Sequence, residues 1–374
     1  MKFRIFLFFS LIFFSGCSLF DKKTIKIGVI APFSGTLSGY GDMTLKIMNL
    51  SVNDINSADG INGYEIELIP FDGECTQNQG RVGAKKLIEE YGVSYILGGF
   101  CSDEMLGAAE ISELHNVILF SSGATSSEVT ELGDFVFRTV QSDKYRSEEL
   151  GRRAYMDGYR KIATFIELNE FTFSNRRSFL DGFTEFGGEV ILSSSFDSSQ
   201  SVDYINFFED LRTSGADSFY FTSQNEELYN RMIKRIRLEN ITLPIYTTGI
   251  IASDVAFDGV EDYLTGGKYP IIDVSRDWDS SKELILRVES LYGEGFLDHY
   301  LFVYVTSGYD TVQILADSIS NCDDIYDTVC VRDNLYGVKD YNGYTGSITF
   351  DEFGDPLYDV SIMEFVNGSV IKLD

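Results

Sequence analysis

Short runs of β-forming residues alternate with amphipathic helical stretches along most of this chain. In the first part, strands are predicted at residues 25–31, 64–72, 94–97 and 117–120, and helices at 43–57, 79–91 and 103–115. Strands that alternate with helices form parallel βαβ units with right-handed crossovers. The pattern therefore predicts an α/β fold built on a parallel sheet.

A second series of the same kind follows the FRT triplet at residues 137–139. Helices are predicted at 144–157, 174–186, 203–213 and 226–237, and strands at 161–166, 189–196, 218–222 and 244–248. The C-terminal part is mixed, with helices predicted at 282–292, 301–318 and 329–338, and strands at 346–350, 360–366 and 370–373. With 374 residues the chain is long enough for two ordinary domains, and the two series predict two similar lobes.

Two loops rich in small and hydroxyl-bearing residues follow neighbouring strands, GGFCSDE at residues 98–104 and FSSGATSS at 120–127. Ligands of open α/β sheets bind outside the carboxyl ends of the strands, where both loops are expected. Ser102 stands where a helix should begin, and a helix N-terminus with a hydroxyl can bind an anion. Ser102 and Thr125 are therefore candidate ligand-binding residues. The alternative is that Ser102 only caps its helix and the second loop is only a turn.

The composition is that of a globular protein, with 44% hydrophobic and 24% charged residues. The formal net charge of −28 argues against nucleic acid as a partner, because phosphate binding requires clustered Lys and Arg.

The N-terminal residues have the pattern of an export signal. Lys2 and Arg4 precede a short apolar run at 5–14, and Ser15-Gly16-Cys17 follows. The run is too short to span a bilayer, so a signal peptide is predicted. Residues 14–17 resemble a lipobox, which implies a signal peptide at 1–16, a lipidated Cys17 and a membrane-anchored tether at 17–23. The alternatives are an ordinary signal peptide and an uncleaved anchor.

Export also accounts for the other cysteines. Four remain after Cys17, an even number that suits an oxidising compartment, namely Cys75, Cys101, Cys322 and Cys330. No C-x-x-C pair occurs, so the sequence offers no basis for a zinc or thioredoxin-like site. Pairing Cys75 with Cys101 and Cys322 with Cys330 is the simplest of three connectivities. The first bridge would hold the loop that carries Ser102.

Signals for an enzyme are weak. GYGDMT at residues 39–44 half-matches the dinucleotide-binding fingerprint but lacks its third glycine. No G-x-S-x-G motif occurs, and the chain has only two histidines, His115 and His299. A non-enzymatic protein without cofactor or metal is expected.

The remaining motifs form an ordered series. They are KIGVIAPFSG at 26–35, YGD at 40–42, VNDIN at 52–56, GING at 60–63, DGEC at 72–75 with FCS at 100–102, SGAT at 122–125, FRT at 137–139 and GSITFD at 346–351. This series resembles the type I periplasmic binding proteins of the leucine/isoleucine/valine-binding family, and the resemblance extends from about residue 26 to 372.

The resemblance implies two Rossmann-like lobes joined by three hinge crossings, near residues 139–143, 268–272 and 348–351. The first lobe would comprise 24–140 and 271–347, and the second 141–270 and 348–374. It also implies an extracytoplasmic, lipid-anchored monomer that binds an amino acid or related small solute for an ABC permease.

The resemblance further implies the ligand-binding residues. A ligand carboxylate would be bound by Ser102, Thr125 and the backbone of Gly123 and Ala124. Tyr40 matches an aromatic residue that covers the ligand. The second-lobe positions that contact the ligand in the family correspond to Phe171, Asn225 and Gly249.

Gly249 departs from the family because amino-acid binders carry an acid there that pairs with the ligand ammonium. Either another acid replaces it, with Glu170, Glu226 and Asp254 as candidates, or the ligand lacks an ammonium group. A small amide, a urea-like compound or a simple carboxylate would fit the second case. A receptor that senses its ligand without transport is the alternative to an importer component.

Overall fold

Three βα units and two further strands at the start of the chain form a parallel sheet. The computed structural model describes residues 23–199, 204–272, 274 and 278–373. In chain order the first elements are β1 (Lys23–Ala31), α1 (Ser38–Ser57), β2 (Tyr64–Asp72), α2 (Gln77–Glu89), β3 (Tyr95–Gly98), α3 (Ser102–His115), β4 (Ile118–Ser121) and β5 (Val136–Arg138). The strand order is β2-β1-β3-β4-β5, and every neighbouring pair is parallel. The predicted βαβ series is confirmed.

The middle of the chain forms a second sheet. Its elements are α4 (Asp143–Met156), β6 (Lys161–Glu167), α5 (Glu170–Glu185), β7 (Glu189–Phe196), α6 (Tyr204–Ser214), β8 (Ser218–Thr222), α7 (Glu226–Leu238), β9 (Ile245–Thr247), α8 (Asp254–Phe257) and β10 (Lys268–Ile272). The chain continues through α9 (Asp279–Tyr292), α10 (Phe302–Ser320), α11 (Thr328–Tyr336), β11 (Tyr341–Gly343), β12 (Gly346–Ile348), β13 (Val360–Val366) and β14 (Ser369–Lys372). The second sheet has the order β14-β13-β10-β9-β8-β6-β7, in which β13 runs antiparallel to both of its neighbours, β10 and β14.

The chain passes between the two lobes three times, after β5, after β10 and between β12 and β13. The lobe limits shift slightly from those that the resemblance implied. Ile271 and Ile272 pair with Ser361 and Val360 of β13, so they belong to the second lobe rather than the first. Ile348 packs in the first lobe's core rather than in the second lobe.

The innermost strands of the first sheet are apolar and fully buried, as β3 and β4 illustrate. This is the pattern of parallel strands covered by helices on both faces. In the second lobe, α4 and α5 pack at glycines: a Cβ on Gly151 would lie 2.0 Å from the Phe179 carbonyl oxygen, and one on Gly182 would lie 2.0 Å from that of Glu148. Close contact between these helices fixes the start of α4 beside the first crossing.

Two helices begin four or five residues earlier than the sequence pattern predicts. The helix predicted from residue 174 begins at Glu170, because Asn169 caps it by accepting a hydrogen bond from the Thr172 N–H at 3.0 Å. The helix predicted from residue 43 begins at Ser38. Both changes add residues to helix ends that face the other lobe.

The predicted signal peptide and the lipidation site Cys17 lie outside the described residues. Within the described part of the chain, no helix combines the length and apolar character needed to cross a membrane.

Candidate functional site

Two cavities lie between the lobes. The smaller, about 40 Å³, is lined from both lobes by Leu37, Tyr40, Phe100, Cys101, Ser102, Gly123, Phe171, Gln224, Ile250 and Tyr304. The larger, about 440 Å³, is lined mainly by the second lobe, by Asp298 and by residues 300–304. The two cavities share Phe171, Ile250 and Tyr304. They form one inter-lobe cleft, at the place where α/β sheets bind ligands.

Ser102 is buried beside the smaller cavity, with 4% of its surface exposed. Its Oγ accepts a hydrogen bond from the Ser126 N–H at 3.2 Å, which joins the two predicted ligand loops. The residue that caps α3 is Cys101, and Glu104 completes the capping box. The alternative role of Ser102 as the helix cap is therefore wrong.

The second loop is held together by its own hydrogen bonds. Ser121 Oγ accepts from the N–H groups of Gly123 (3.1 Å) and Ala124 (2.9 Å) and donates to the Gly99 carbonyl oxygen at 2.7 Å. Thr125 Oγ1 donates to Asp143 Oδ2 at 2.9 Å. Gly123 borders the smaller cavity, whereas Ala124 and Thr125 are absent from the linings of both cavities. The groups predicted to bind a carboxylate thus have partners within the protein.

Both predicted disulfides are confirmed. Cys75 is bonded to Cys101, and Cys322 is bonded to Cys330. The first disulfide borders the cleft, where Gln224 Nε2 of the second lobe lies 3.5 Å from the Cys75 sulfur and 3.6 Å from the Cys101 sulfur. This bridge therefore supports the Ser102 loop and contacts the opposite lobe.

Glu104 lies buried behind this disulfide. Its Oε1 accepts from the Cys75 N–H at 2.9 Å and its Oε2 from the Cys101 N–H at 3.1 Å. Burial raises the pKa of the Glu104 carboxyl to about 7, although these backbone hydrogen bonds oppose the rise.

This raised pKa predicts that the protein loses stability as the pH rises. Because the folded pKa of Glu104 lies above its unfolded value, the stabilisation is complete below about pH 4.5 and is lost as the pH passes 7, by about 3 kcal/mol in all. Urea unfolding of the wild type and of Glu104→Gln between pH 4.5 and 8 measures this effect. In the variant, the free energy of unfolding should fall less steeply with rising pH than in the wild type. An equal dependence on pH in both proteins would contradict the prediction.

Tyr40 covers the smaller cavity from the first lobe. Its hydroxyl donates to Glu226 Oε1 at 2.8 Å, and its ring stacks on Phe100 at a centroid distance of 5.7 Å. Burial, followed by the negative charge of Glu226, raises the pKa of the Tyr40 hydroxyl well above its usual value. Tyr40 therefore remains a neutral donor that links the lobes.

The predicted second-lobe positions fall in different places. Phe171 lines both cavities, and Gly249 lines the larger one. A Cβ on Gly249 would meet only the Pro270 carbonyl oxygen, at 3.2 Å, so the glycine leaves this wall open. Asn225 caps α7, accepting from the Leu228 N–H at 2.9 Å, and it is absent from both cavity linings.

The three candidate acids all lie near the cleft. Glu226 contacts Tyr40, Glu170 Oε1 accepts from Ser126 Oγ at 2.8 Å, and Asp254 lines the larger cavity. The first two contacts join one lobe to the other. Burial raises the pKa of the Glu170 carboxyl above its usual value.

Arg146 and Tyr304 are among the residues of the cleft that sequence reasoning missed. Arg146 lies in the first turn of α4, directly after the first crossing, and Tyr304 lies in the first turn of α10. The position of Arg146 just after the FRT triplet was the available signal, because a residue beside a hinge crossing lies close to both lobes.

Comparison with known proteins identifies the family to which this chain belongs. The profile of the periplasmic binding protein family matches residues 24–369. The chain is 32% identical over 130 residues to the leucine-, isoleucine-, valine-, threonine- and alanine-binding protein of Pseudomonas aeruginosa, covering 34% of this chain and 35% of that one. It is 30% identical over 217 residues to Leu/Ile/Val-binding protein homolog 7 of Brucella abortus, covering 54% and 53%. These matches span between a third and about half of each relative.

Solved structures share the fold over nearly the whole chain. The leucine-binding protein LivK of Thermotoga maritima superimposes with a TM-score of 0.79 at 21% identity, covering 94% of this chain and 98% of that one. A solute-binding protein of R. palustris in complex with benzoate superimposes with a TM-score of 0.78 at 17% identity, covering 94% and 95%. Two lobes, three crossings and a family profile that covers most of the sequence agree, and the chain belongs to the type I periplasmic binding proteins of the Leu/Ile/Val-binding family.

Proposed function

We propose that this protein is an extracytoplasmic solute-binding protein that encloses a small carboxylate-bearing solute, an amino acid or a related compound, and delivers it to an ABC permease. The observation that carries this proposal is the cleft itself, whose cavities are lined by both lobes at the sheet edges. Relatives named as amino-acid-binding proteins, and a neighbour solved with isoleucine, support the ligand class.

Closure of the lobes around the ligand is the proposed mechanism. Three short crossings allow the lobes to rotate, and the Tyr40–Glu226 and Ser126–Glu170 hydrogen bonds can form only when the lobes meet. A ligand that contacts both lobes binds the closed state more tightly and so shifts the equilibrium towards it. The permease would then recognise the closed form.

The free energies favour a ligand with a charged group. Micromolar affinity requires about −8 kcal/mol, and burial of a leucine-sized side chain supplies only about 1.5–3 kcal/mol. Charge-assisted hydrogen bonds of about 1.5–3 kcal/mol each must supply much of the rest. If the ligand carries an ammonium group, Glu226 or Asp254 takes the place of the acid missing at Gly249, since an unpaired enclosed ammonium costs several kcal/mol.

We further propose that residues 1–16 are removed and that Cys17 anchors the monomeric protein to the outer face of the cell membrane. Mass spectrometry of the mature N-terminal peptide tests this directly. A lipid-modified Cys17 is expected, and an unmodified N-terminus at another residue would contradict it.

A thermal-shift screen of the protein starting after Cys17 tests the ligand class. The panel contains amino acids, their amides, urea-like compounds and simple carboxylates. At a hundredfold excess over Kd, a bound ligand adds about 2.7 kcal/mol of stability, which is a clear shift. No shift with any carboxylate or amino acid would contradict the proposal.

Ser102→Ala and Thr125→Ala are each expected to weaken binding of the best ligand by about 1–3 kcal/mol. Ser102 borders the smaller cavity and accepts from the Ser126 N–H, so it holds the loop that meets Glu170 of the second lobe, whereas Thr125 acts through Asp143. Isothermal titration calorimetry measures the change. Ser112→Ala is the matched control, because Ser112 is a buried serine of the same helix as Ser102 and lies away from both cavities. Unchanged affinity in both test variants would remove these residues from the site.

A further inference from the structure

The larger cavity is lined by a largely buried cation, Arg146, and by two exposed acids. The Arg146 side chain lines it with only 12% of its surface exposed. Asp254 and Asp298, which also line it, are exposed to solvent. The guanidinium is therefore less exposed to solvent than these two carboxylates.

Arg146 has hydrogen-bonding capacity to spare. Its Nη2 donates to Asp143 Oδ1 at 2.7 Å, and Asp143 Oδ2 accepts from Thr125, so this carboxylate has a partner on each oxygen. The Nε of Arg146 is buried and has no hydrogen-bond partner among the residues that the structure describes. A guanidinium offers five N–H donors, and buried donors are almost always paired in native proteins. The guanidinium of this cavity-lining residue therefore has an unused donor, although the Nε atom itself is covered by protein and is not directly accessible from the cavity.

The loop that would bind a carboxylate by resemblance is less available. The Gly123 and Ala124 N–H groups both donate to Ser121 Oγ, and the Thr125 hydroxyl donates to Asp143. The cavity beside that loop is about 40 Å³, against about 440 Å³ for the cavity that Arg146 lines. The larger cavity therefore has both the space for a ligand and the Arg146 guanidinium in its lining.

We propose that Arg146 binds the carboxylate of the ligand, whose body occupies the larger cavity. This inference rests on the proposed function and names the residue that selects the ligand's charged group. A guanidinium binds a planar carboxylate through a fixed fork of donors, which suits this role.

The same surroundings favour a monocarboxylate over a phosphate. Asp143 already offsets part of the Arg146 charge, and Asp254 and Asp298 oppose a second negative charge. The walls of the same cavity include the apolar residues Ile271 and Phe302. A single negative charge on an apolar body is the chemistry that fits.

Matched ligand pairs test the proposal by calorimetry. Benzoate is compared with benzamide, and L-leucine with L-leucinamide, because each pair differs in the carboxylate. The wild type should bind the carboxylate of its preferred pair at least tenfold more tightly than the amide. Arg146→Gln should lose ten- to a hundredfold in carboxylate affinity and should bind the carboxylate and the amide about equally. The carboxylate affinity of Arg146→Lys should lie between those of the wild type and Arg146→Gln.

Two further variants separate binding from folding. Asp143→Asn/Arg146→Gln removes both charges of the pair, so that no buried carboxylate is left unpaired, and it should show the same loss of discrimination. Arg153→Gln is the control on the same helix, since Arg153 pairs with Asp157 and lies outside both cavity linings. It should bind as the wild type does.

The outcomes distinguish the two levels of the proposal. Wild type that binds no member of either pair, and gives no shift with other carboxylates or amino acids, rejects the proposed function. Wild type that binds carboxylates while the folded Arg146 variants bind them equally well rejects the role of Arg146 and leaves the function standing. Equal affinity of the wild type for the carboxylate and the amide also rejects the role of Arg146.

Discussion

Replacing Asp355 by alanine is expected to lower the free energy of unfolding by about 3–5 kcal/mol. Arg138 is fully buried, and its Nε donates to Asp355 Oδ1 at 2.6 Å while its Nη2 donates to Oδ2. Without Asp355, the buried Arg138 charge has lost its carboxylate partner. Removing one partner of a buried ion pair is strongly destabilising because it leaves the other charge uncompensated. Urea unfolding followed by circular dichroism at pH 7 measures the loss.

The same substitution should also weaken ligand binding. Arg138 Nη1 donates to the carbonyl oxygens of Ala124 at 3.3 Å and Ser126 at 2.7 Å, so it holds the loop beside the cleft. Arg138 precedes the first crossing, and Asp355 lies in the third. The pair therefore ties two hinge segments to that loop, and its loss should loosen all three.

Two variants serve as controls for this prediction. Asp333→Ala breaks an exposed pair with Arg332 and should cost less than about 1 kcal/mol. Arg138→Met/Asp355→Leu replaces both charges by apolar groups and should be less destabilised than Asp355→Ala. An Asp355→Ala protein within 1 kcal/mol of the wild type would contradict the proposed importance of the pair.

Most of the fold was predictable because local patterns determine it. The strands at 64–72, 189–196 and 218–222 were predicted with the bounds that the structure shows for β2, β7 and β8. Each is a run of β-forming residues bounded by turn or polar residues, so its limits are written locally. The short strands β5 and β10 were missed as strands, because their identity depends on partners elsewhere in the chain.

The candidate site was predictable in part for the same reason. Of the residues that the resemblance predicts to bind the ligand, the cavities are lined by Tyr40, Ser102, Gly123, Phe171 and Gly249 but not by Ala124, Thr125 or Asn225. Arg146 could not be placed, since helical periodicity does not reveal which polar residue of a first turn faces the opposite lobe. The engagement of the Thr125 hydroxyl by Asp143 also depends on a contact across the first crossing, which no local pattern contains.

Replacing Cys75 and Cys101 together by serine is expected to lower the free energy of unfolding by about 3–4 kcal/mol, since their sequence separation is 26. The substitution should also weaken ligand binding, because the bridge holds the Ser102 loop and its sulfurs contact Gln224 across the cleft. Thermal unfolding and calorimetric titration of the same preparations measure the two effects separately.

Cys322→Ser/Cys330→Ser is the matched control for this pair. Its bridge closes a loop with a separation of 8 residues, so a comparable loss of about 2–3 kcal/mol is expected. This bridge joins the end of α10 to α11, away from both cavities. Ligand affinity should therefore stay unchanged in the control and fall in the Cys75/Cys101 variant. If both variants lost stability and neither lost affinity, the first disulfide would support the fold alone, and the Ser102 loop would keep its binding geometry without it.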